Sequence, residues 1–395
     1  MHLTRLLSGL VTRTAGRRTL PLLGALASPL GGQPAADRPL ATLPLTEVAF
    51  SSSRWVFPAG APRATLVGTD TAWAISGVAY LSDVMLEDGV IEVEAFRGFP
   101  ALVFHAESPD EYETVYLRIP YTGRQDAMQY SPVHRRFLPW RLHPDGQARA
   151  EFDTTGGMFS RNRFRAEITG RTVRVFVNGA STPSLVATLR HPANTGRIGV
   201  WGMAIAEGMQ RFARFRYATT PARPAAAAAT PQPLAMTRWE LATLPPGSPL
   251  IRYPHDSSAL SWRSVQADFD GLVDLTRHLG ALQAEGRAVP AAARTFITQP
   301  GAGPARLVLA FCDRVAVYLN RRRVFVGTLP LLVEGDNPRI ALRDTIPVQL
   351  SAGRNELLIV STGQTYLFGE GNGGWGFAAH LLPGDPSRAR RASRR

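Results

Sequence analysis

The sequence predicts an all-β protein that consists of two β-sandwich (jelly roll) domains with mostly antiparallel strands. Over residues 172–177 every second residue is valine, and this period of two is typical of a strand with one buried face. Asn178 and Gly179 follow directly and form the dipeptide that favours a tight hairpin turn. Short strands of this kind recur on both sides of residues 219–235, which are rich in proline and alanine. Two sandwiches joined by a linker are therefore predicted.

Length and composition fit two domains. The chain has 395 residues, of which 45% are hydrophobic, so each half can bury a core of its own. We predict the following order: an export signal (1–36), a β-sandwich (37–218), a Pro/Ala linker (219–235), a second β-sandwich (236–386) and a basic disordered tail (387–395).

The first 36 residues have the three parts of an export signal in the right order. Basic residues are followed by an apolar run over residues 20–30, which is too short to span a bilayer, and then by small residues. Arg17 and Arg18 also resemble the twin-arginine signal, which exports folded proteins. We therefore expect an exported protein, periplasmic or extracellular, with no membrane span.

The net charge of +13 does not predict nucleic-acid binding. The sequence has no lysine, and its arginines are scattered through the strands instead of forming one basic face with interleaved aromatics. The single cysteine, Cys312, excludes an intrachain disulfide and lies in an apolar strand, where it is expected to act as a small buried hydrophobe.

The predicted first domain is a series of short strands with turns between them. Glu87, Asp88 and Gly89 predict a hairpin between the strands at 74–81 and 90–96, and residues 194–196 predict the turn into the strand that contains Trp201. The remaining strands are expected at residues 101–105, 114–119, 163–168, 172–177, 185–189 and 210–217.

The predicted second domain repeats this pattern with strands at residues 307–311, 315–319, 324–326, 344–350 and 355–361. Leucines at near-helical spacing within residues 271–293 predict a helix or an irregular insertion.

The first half contains the following segments, in this order: Asp88-Gly89-Val90-Ile91-Glu92-Val93-Glu94, Val103-Phe104-His105, Tyr112-Glu113-Thr114-Val115-Tyr116-Leu117-Arg118, Gln129-Tyr130-Ser131-Pro132-Val133, Trp140-Arg141-Leu142, Val175-Phe176-Val177-Asn178-Gly179 and Gly196-Arg197-Ile198-Gly199-Val200-Trp201. Through these segments it resembles laminin G-like domains of the concanavalin A-like superfamily, and in particular domains of the family 16 glycosidase-like and 3-keto-disaccharide hydrolase-like types. The second half contains Arg314-Val315-Ala316-Val317-Tyr318-Leu319-Asn320 and Gly373-Gly374-Trp375-Gly376-Phe377, through which it resembles galactose-binding-like jelly rolls. The fold hosts lectins, adhesion modules and hydrolases, so it implies no single activity.

Glu92 and Glu94 are the catalytic candidates that the resemblance implies, because glycosidases of this fold place their acid and nucleophile on one strand face. Arg97 stands where a further acidic residue is expected, so the catalytic set is incomplete. The favoured interpretation is that both glutamates lie on a solvated strand face and pair with arginines such as Arg118 or Arg174.

A sugar-binding surface is the second candidate, because aromatic rings stack on sugars while polar groups bind their hydroxyls. The alternative is that several of these rings are core residues. In the first domain the candidates are His105, Tyr112, Tyr116, Arg118, Tyr130, His134 and Trp140, and in the second Trp262, Asp313, Arg314, Tyr366 and Trp375.

No cofactor is predicted, with calcium left open. Asp83, Asp88 and Asp110 lie in loops where they are calcium candidates, although turn aspartates that cap their own backbone explain them equally well. The histidine spacing has no zinc signature, and the glycine-rich stretch near residue 371 lacks the context of a phosphate loop.

The function that the sequence favours is noncatalytic recognition of a glycan, such as a surface polysaccharide, by an exported protein. Two alternatives remain: a glycoside hydrolase of the resembled type, and a structural or partner-binding accessory protein. The oligomeric state does not follow from the sequence.

Overall fold

The computed structural model describes residues 40–67, 70–157, 160–203, 210–220, 232, 234–245, 247–249, 253, 257–279, 289–329, 339–363 and 373–384. Every strand pair among them is antiparallel, which confirms the predicted fold class. The strands of the first half are β1 (Thr46–Val48), β2 (Trp55–Val56), β3 (Arg63–Val67), β4 (Asp70–Ile75), β5 (Gly77–Leu86), β6 (Gly89–Phe96), β7 (Pro100–Ser108), β8 (Glu111–Leu117), β9 (Met128–Val133), β10 (Gln147–Ala148), β11 (Arg161–Thr169), β12 (Thr172–Val177), β13 (Leu185–Thr188), β14 (Gly196–Gly202) and β15 (Gln210–Thr219). Short 3₁₀ turns lie at Leu40–Thr42, Ile119–Tyr121 and Trp140–Leu142.

These strands form two sheets that face each other as a sandwich. The first sheet has the order β13-β12-β11-β6-β15-β4-β3, with β1 also paired to β15, and it has eight strands. The second sheet has seven strands in the order β10-β9-β8-β7-β14-β5-β2. Side chains from both sheets fill the core, including Ile91 and Val93 of β6 and Val115 and Leu117 of β8.

Two turns predicted as hairpins instead connect the two sheets. β5 lies in the seven-stranded sheet and β6 in the eight-stranded sheet, so Glu87, Asp88 and Gly89 cross from one layer to the other. Residues 194–196 likewise lead from β13 to β14 in the opposite sheet. The prediction was wrong here because alternating residues meet one core equally well from a paired strand or from the facing sheet.

The hairpin at Asn178 and Gly179 is confirmed. β12 pairs with β13, and both turn residues have positive φ, as the dipeptide predicts. Since β13 begins only at Leu185, the connection is longer than a tight two-residue turn.

The second half forms another pair of sheets. Its strands are β16 (Arg238–Thr243), β17 (Arg263–Gln266), β18 (Leu272–Asp274), β19 (Val289–Gln299), β20 (Gly303–Phe311), β21 (Asp313–Leu319), β22 (Arg322–Leu329), β23 (Asp344–Leu350), β24 (Gly353–Gly363) and β25 (Gly376–Pro383), and its helix is α1 (Leu275–Leu279). A 3₁₀ turn lies at Ser257–Ala259. The six-stranded sheet has the order β17-β16-β19-β24-β21-β22, and the four-stranded sheet the order β18-β25-β20-β23.

Within residues 271–293, where a helix or an irregular insertion was predicted, the described residues form β18, the short helix α1 and the start of β19. Only α1 is helical among the described residues of that range, between β18 and β19, and residues 280–288 lie outside the described part. Leu272 and Leu275 are both buried, but Leu275 packs in the core of the second sandwich and Leu272 in a separate apolar group.

Residues 134–143, here called the covering segment, pack against both sandwiches. Leu138 and Trp140 lie on the outer face of the seven-stranded sheet, next to Tyr112 and Tyr116. Leu142 packs on the other side with a group of second-half residues: Leu272, Ala310, Cys312, Ile340 and Ala378.

Buried charges also join the two sandwiches. Arg141 Nη1 lies 2.9 Å from Asp313 Oδ1, and both side chains are 0% exposed. The Arg190 guanidinium lies 3.1 Å from Asp145, 2.9 Å from Asp270 and 3.7 Å from Asp268. Residues 43–395 accordingly form one compact unit.

The predicted domain boundaries stay predictions. The export signal (1–36), the tail (387–395) and most of the linker lie outside the described residues. At the linker's ends, Thr219 belongs to β15 and Ala235 bridges to His380 of β25. Within the described ranges, no helix has the length and apolar character that a membrane crossing requires.

Candidate functional site

The predicted sugar-binding residues of the first domain are mostly buried. Six of the seven, all except Trp140, are buried, with exposed fractions between 0% and 8%. Tyr112 and Tyr116 lie on the outer face of the seven-stranded sheet, where the covering segment packs over them. Trp140 is half-buried, with the Arg339 guanidinium 5.3 Å from its ring centroid. This face is therefore closed to a sugar ring as long as the covering segment stays in place.

The other candidates of this group have structural partners. Tyr130 lies in the core between the two sheets, and its hydroxyl accepts the Arg190 N–H at 2.7 Å. Arg118 forms an ion pair with Asp126 and stacks on Tyr121. The His105 Nε2 lies 2.9 Å from the Glu87 carbonyl oxygen, and burial lowers the pKa of His105 to about 4.

Glu92 and Glu94 lie on the outer face of the eight-stranded sheet and pair with arginines of the neighbouring strands. Arg216 Nη1 is 2.9 Å from Glu92 Oε1, and Arg161 Nη1 is 3.1 Å from Glu94 Oε2. Pairing with arginines was predicted, but the partners are Arg161, Arg163, Arg214 and Arg216 instead of Arg118 or Arg174. β11 and β15 flank β6, and this register, which the sequence does not show, selects those arginines.

The three calcium candidates are each engaged by a different protein group. Asp83 pairs with Arg54 at 2.8 Å, Asp88 Oδ1 accepts the Gly170 N–H at 2.6 Å, and Asp110 Oδ1 accepts from Arg136 at 2.7 Å. In the described part of the chain they do not converge on a common point.

The second-domain candidates divide into buried and exposed residues. Asp313 is buried against Arg141, and Trp375 is buried with its Nε1–H donating to Ser361 Oγ at 2.8 Å. Arg314 is exposed on β21, and Tyr366 lies outside the described residues. Trp262 is half-buried, with the Arg294 guanidinium 4.0 Å from its ring centroid.

Arg294 forms part of an open groove on the six-stranded sheet, here called the β16–β19 groove. Its volume is about 500 Å³, and strands β16, β17 and β19 form its floor. Arg294 Nε donates to Glu240 at 2.6 Å, and the Arg354 guanidinium lies 3.6 Å from the Phe296 ring centroid. The polar lining and the Phe296 ring come from Arg238, Glu240, Ser264, Gln266, Arg294, Thr295 and Phe296.

A second constellation, Glu111 with His134 and His191, was not predicted from the sequence. Glu111 Oε2 lies 3.2 Å from His134 Nδ1 and 3.1 Å from His191 Nε2, and the two imidazole rings stack with centroids 4.9 Å apart. His191 Nδ1 accepts the Ala193 N–H at 3.2 Å, which leaves the ring proton on Nε2, facing Glu111. The three ligand atoms lie within 4.8 Å of one another.

The electrostatics of this cluster follow from burial and hydrogen bonding. Burial of Glu111 favours its neutral form, but hydrogen bonds from His134 and His191 outweigh burial and lower the pKa of Glu111 to about 2. Burial lowers the pKa of His191 to about 4, so its imidazole is neutral at pH 7. A carboxylate and two imidazoles form the kind of donor set that binds zinc and related metal ions.

Sequence reasoning selected only His134 from this cluster, and as a sugar-binding residue. The three residues have no short metal-ligand spacing, which is why no zinc signature was found. The one available signal is the β8–β9 register, because Glu111 precedes and His134 follows the pair formed by Tyr112 and Val133. That register becomes visible only in the folded sheet.

No protein-family model matches this sequence, and no curated protein matches it. Among solved structures, the carbohydrate-binding module CBM66 from Bacillus subtilis aligns with 12% identity over 42% of this chain and 96% of its own, with a TM-score of 0.31. The exoplasmic/lumenal domain of VIP36, in a Ca²⁺/Man3GlcNAc-bound form, aligns with 9% identity over 44% and 89%, with a TM-score of 0.32. Domain 4 of AbnA, a GH43 extracellular arabinanase from Geobacillus stearothermophilus, aligns with 12% identity over 44% and 80%, with a TM-score of 0.27. At these TM-scores the alignments carry no inference about ligands, and the fold rests on the strand pairing described above.

Proposed function

We propose that this protein is an exported, noncatalytic glycan-recognition protein and that the β16–β19 groove binds the sugar. The observation that carries the proposal is an exposed aromatic ring beside paired charged groups on an open strand face. Phe296 is 37% exposed, and the Arg294–Glu240 pair lies within the same groove. Sugar recognition needs this combination, because a ring packs on the C–H face of a pyranose while charged groups bind adjacent hydroxyls.

The outer face of the seven-stranded sheet supports the proposal less well. Its aromatic residues are covered by residues 134–143, and those residues are held in turn by Asp313 and Ile340 of the second sandwich. A ligand on that face would first have to displace buried charged and apolar contacts. In the β16–β19 groove the Phe296 ring is 37% exposed, and a sugar that packs on it has only to share the ring with the Arg354 guanidinium, 3.6 Å from its centroid, or move that side chain aside.

A glycoside hydrolase is less well supported than a binding protein. Hydrolysis uses two carboxyl groups that face each other across the scissile bond, roughly 5 to 10 Å apart. Glu92 and Glu94 instead lie side by side on one strand, each held by arginine.

The test is a glycan array with full-length protein, together with Phe296→Ala and Glu240→Gln variants. Val326→Ala is the matched control, because Val326 is also an exposed apolar residue of the six-stranded sheet but does not line the groove. We expect wild type and control to bind the same glycans, and both groove variants to lose at least about tenfold in affinity, which corresponds to 1.4 kcal/mol.

Two outcomes would contradict this assignment. Folded wild-type protein that binds no glycan would remove the proposed function altogether. Binding that survives Phe296→Ala but is lost on Trp140→Ala would transfer the site to the covered face of the first sandwich.

Export is proposed on the leader sequence alone. The expected result is a mature protein in the periplasm or medium whose N-terminus, determined by mass spectrometry, lies near residue 37. An intact N-terminus on protein retained in the cytoplasm would contradict it.

A further inference from the structure

We propose that Glu111, His134 and His191 form a binding site for a divalent transition metal ion, with zinc as the best match. The proposal concerns the first sandwich and does not depend on the β16–β19 groove. Its basis is the convergence of two imidazole nitrogens on one carboxylate oxygen, from three segments that are far apart in the sequence.

The distances fit a zinc ion. Zinc lies about 2.0 to 2.1 Å from histidine nitrogen and about 2.0 to 2.2 Å from carboxylate oxygen, so neighbouring tetrahedral ligands are separated by about 3.3 Å. The two nitrogen–oxygen separations, 3.2 Å and 3.1 Å, are already close to that value. The two nitrogens lie within 4.8 Å of each other. Because the two rings stack with centroids 4.9 Å apart, they would have to turn out of this stack for both nitrogens to point at one ion.

The surroundings hold the ligands in place. His134 and His191 are buried, and their backbone positions are fixed by strand pairing and by the N–H groups of Arg190 and His191, which donate to Glu113. The Arg135 N–H donates to Glu111 Oε1 at 3.0 Å, which leaves Oε2 directed at the histidines. Ligands that are oriented in this way by neighbouring hydrogen bonds bind a metal more tightly than free side chains do.

Metal binding would replace the hydrogen bonds of His134 and His191 to Glu111 and would break the one from the Ala193 N–H to His191 Nδ1. The nitrogens that now face Glu111 would donate their lone pairs to the ion, so the ring proton would move to Nε2 in His134 and to Nδ1 in His191. The Ala193 N–H, which contacts that nitrogen at 3.2 Å, would then have to turn toward another acceptor.

Three protein ligands leave one tetrahedral position for water or another ligand. The Glu111 side chain is 31% exposed, so solvent reaches the cluster from its side. Soft thiolate ligands are absent from the set, since the chain's one cysteine is buried in the second sandwich. Nitrogen and oxygen donors favour zinc and similar borderline ions over calcium or magnesium, which prefer sets made of oxygen alone.

The test is metal binding by full-length, tag-free protein that has first been treated with a chelator. Zinc content after equilibrium dialysis gives the stoichiometry, and the visible absorption of the cobalt(II) form reports the coordination geometry. The variants are Glu111→Gln, His134→Asn and His191→Gln. His380→Gln is the matched control, because His380 is partly buried and hydrogen-bonded through Nε2 to Asp270 but lies outside the cluster.

We expect one zinc ion per chain in the wild type and in the control, and a loss of about 100-fold or more in affinity for each cluster variant. Glu111→Gln keeps the shape of the side chain and the acceptor for the Arg135 N–H, while it replaces the other carboxylate oxygen by an amide NH2, so its circular dichroism should match that of the wild type. Folded wild-type protein that takes up no zinc at millimolar concentration would overturn the proposal. So would zinc uptake that is unchanged in all three variants, whatever the glycan array shows.

Discussion

The buried ion pair between Arg141 and Asp313 makes the sharpest stability prediction. Replacing Asp313 by asparagine changes one oxygen to an amide nitrogen and keeps the size of the side chain. Asp313 has a φ of 61°, a left-handed conformation that asparagine tolerates well, so the backbone is not the source of the effect. The change leaves the Arg141 charge in a fully buried position without its carboxylate.

The expected loss in the free energy of unfolding is about 3 to 5 kcal/mol, the usual effect of breaking a buried pair by removing one partner. The Arg141 Nη2 still donates to the Leu329 carbonyl at 3.2 Å, which keeps the loss from being larger. Asp83→Asn is the matched control, because its pair with Arg54 is equally short, at 2.8 Å, but exposed. An exposed pair contributes no more than about 1 kcal/mol.

The assay is unfolding in urea, monitored by tryptophan fluorescence. The free energies of unfolding of the variants are compared at the first transition. Adding Arg141→Met to Asp313→Asn should recover part of the loss, because the unpaired charge is then gone. If Asp313→Asn and Asp83→Asn differ by less than about 1 kcal/mol, water reaches the pair and the packing of the two sandwiches described above is incorrect.

Three further predictions concern single positions. Burial lowers the pKa of His105 to about 4, so the unfolded chain, with a pKa near 6.5, binds a proton at a higher pH than the folded chain does. The free energy of unfolding should therefore fall by about 3 kcal/mol as the pH drops from 7 to 4, and His105→Asn should flatten this slope in unfolding measurements at several pH values. Gly199→Ala should destabilise the folded protein by about 2 kcal/mol or more, because the added Cβ would lie 1.9 Å from the Ala79 carbonyl oxygen. Gly301→Ala is the control: Gly301 has open space around it, so the midpoint of thermal unfolding should change very little. Burial raises the pKa of Cys312 to about 12, so a thiol reagent should label the native protein only after denaturant is added, and rapid labelling without denaturant would contradict its burial.

The fold class could be predicted because it depends on local patterns. The alternating valines of β12 and the positive-φ residues Asn178 and Gly179 specify a strand and a turn whatever they pack against. The sheet that a strand joins, in contrast, depends on residues that are distant in the sequence. The turn at Glu87, Asp88 and Gly89 has good hairpin chemistry, yet it connects two layers, because β6 finds its partners in β11 and β15.

The candidate sites were harder to predict for the same reason. Tyr112, Tyr116 and Trp140 do lie together on one sheet face, but their exposure depends on residues 134–143 and on a second sandwich that packs over them. Glu111 meets His134 through the pairing of β8 with β9, and it meets His191, 80 positions further along the sequence, only through the path of the chain after β13. A single sequence contains no signal for such a meeting.

The long separation between Arg141 and Asp313 has a consequence for the order of synthesis. The two residues are 172 positions apart, and at about 5 to 20 residues per second the ribosome needs roughly 10 to 35 s to add the second after the first. During that interval the nascent first sandwich holds Arg141 and Leu142 in water, with their native partners not yet made. The first half therefore reaches its final surface only when the second half has emerged, and early termination of translation leaves a product with an unfilled apolar and charged face.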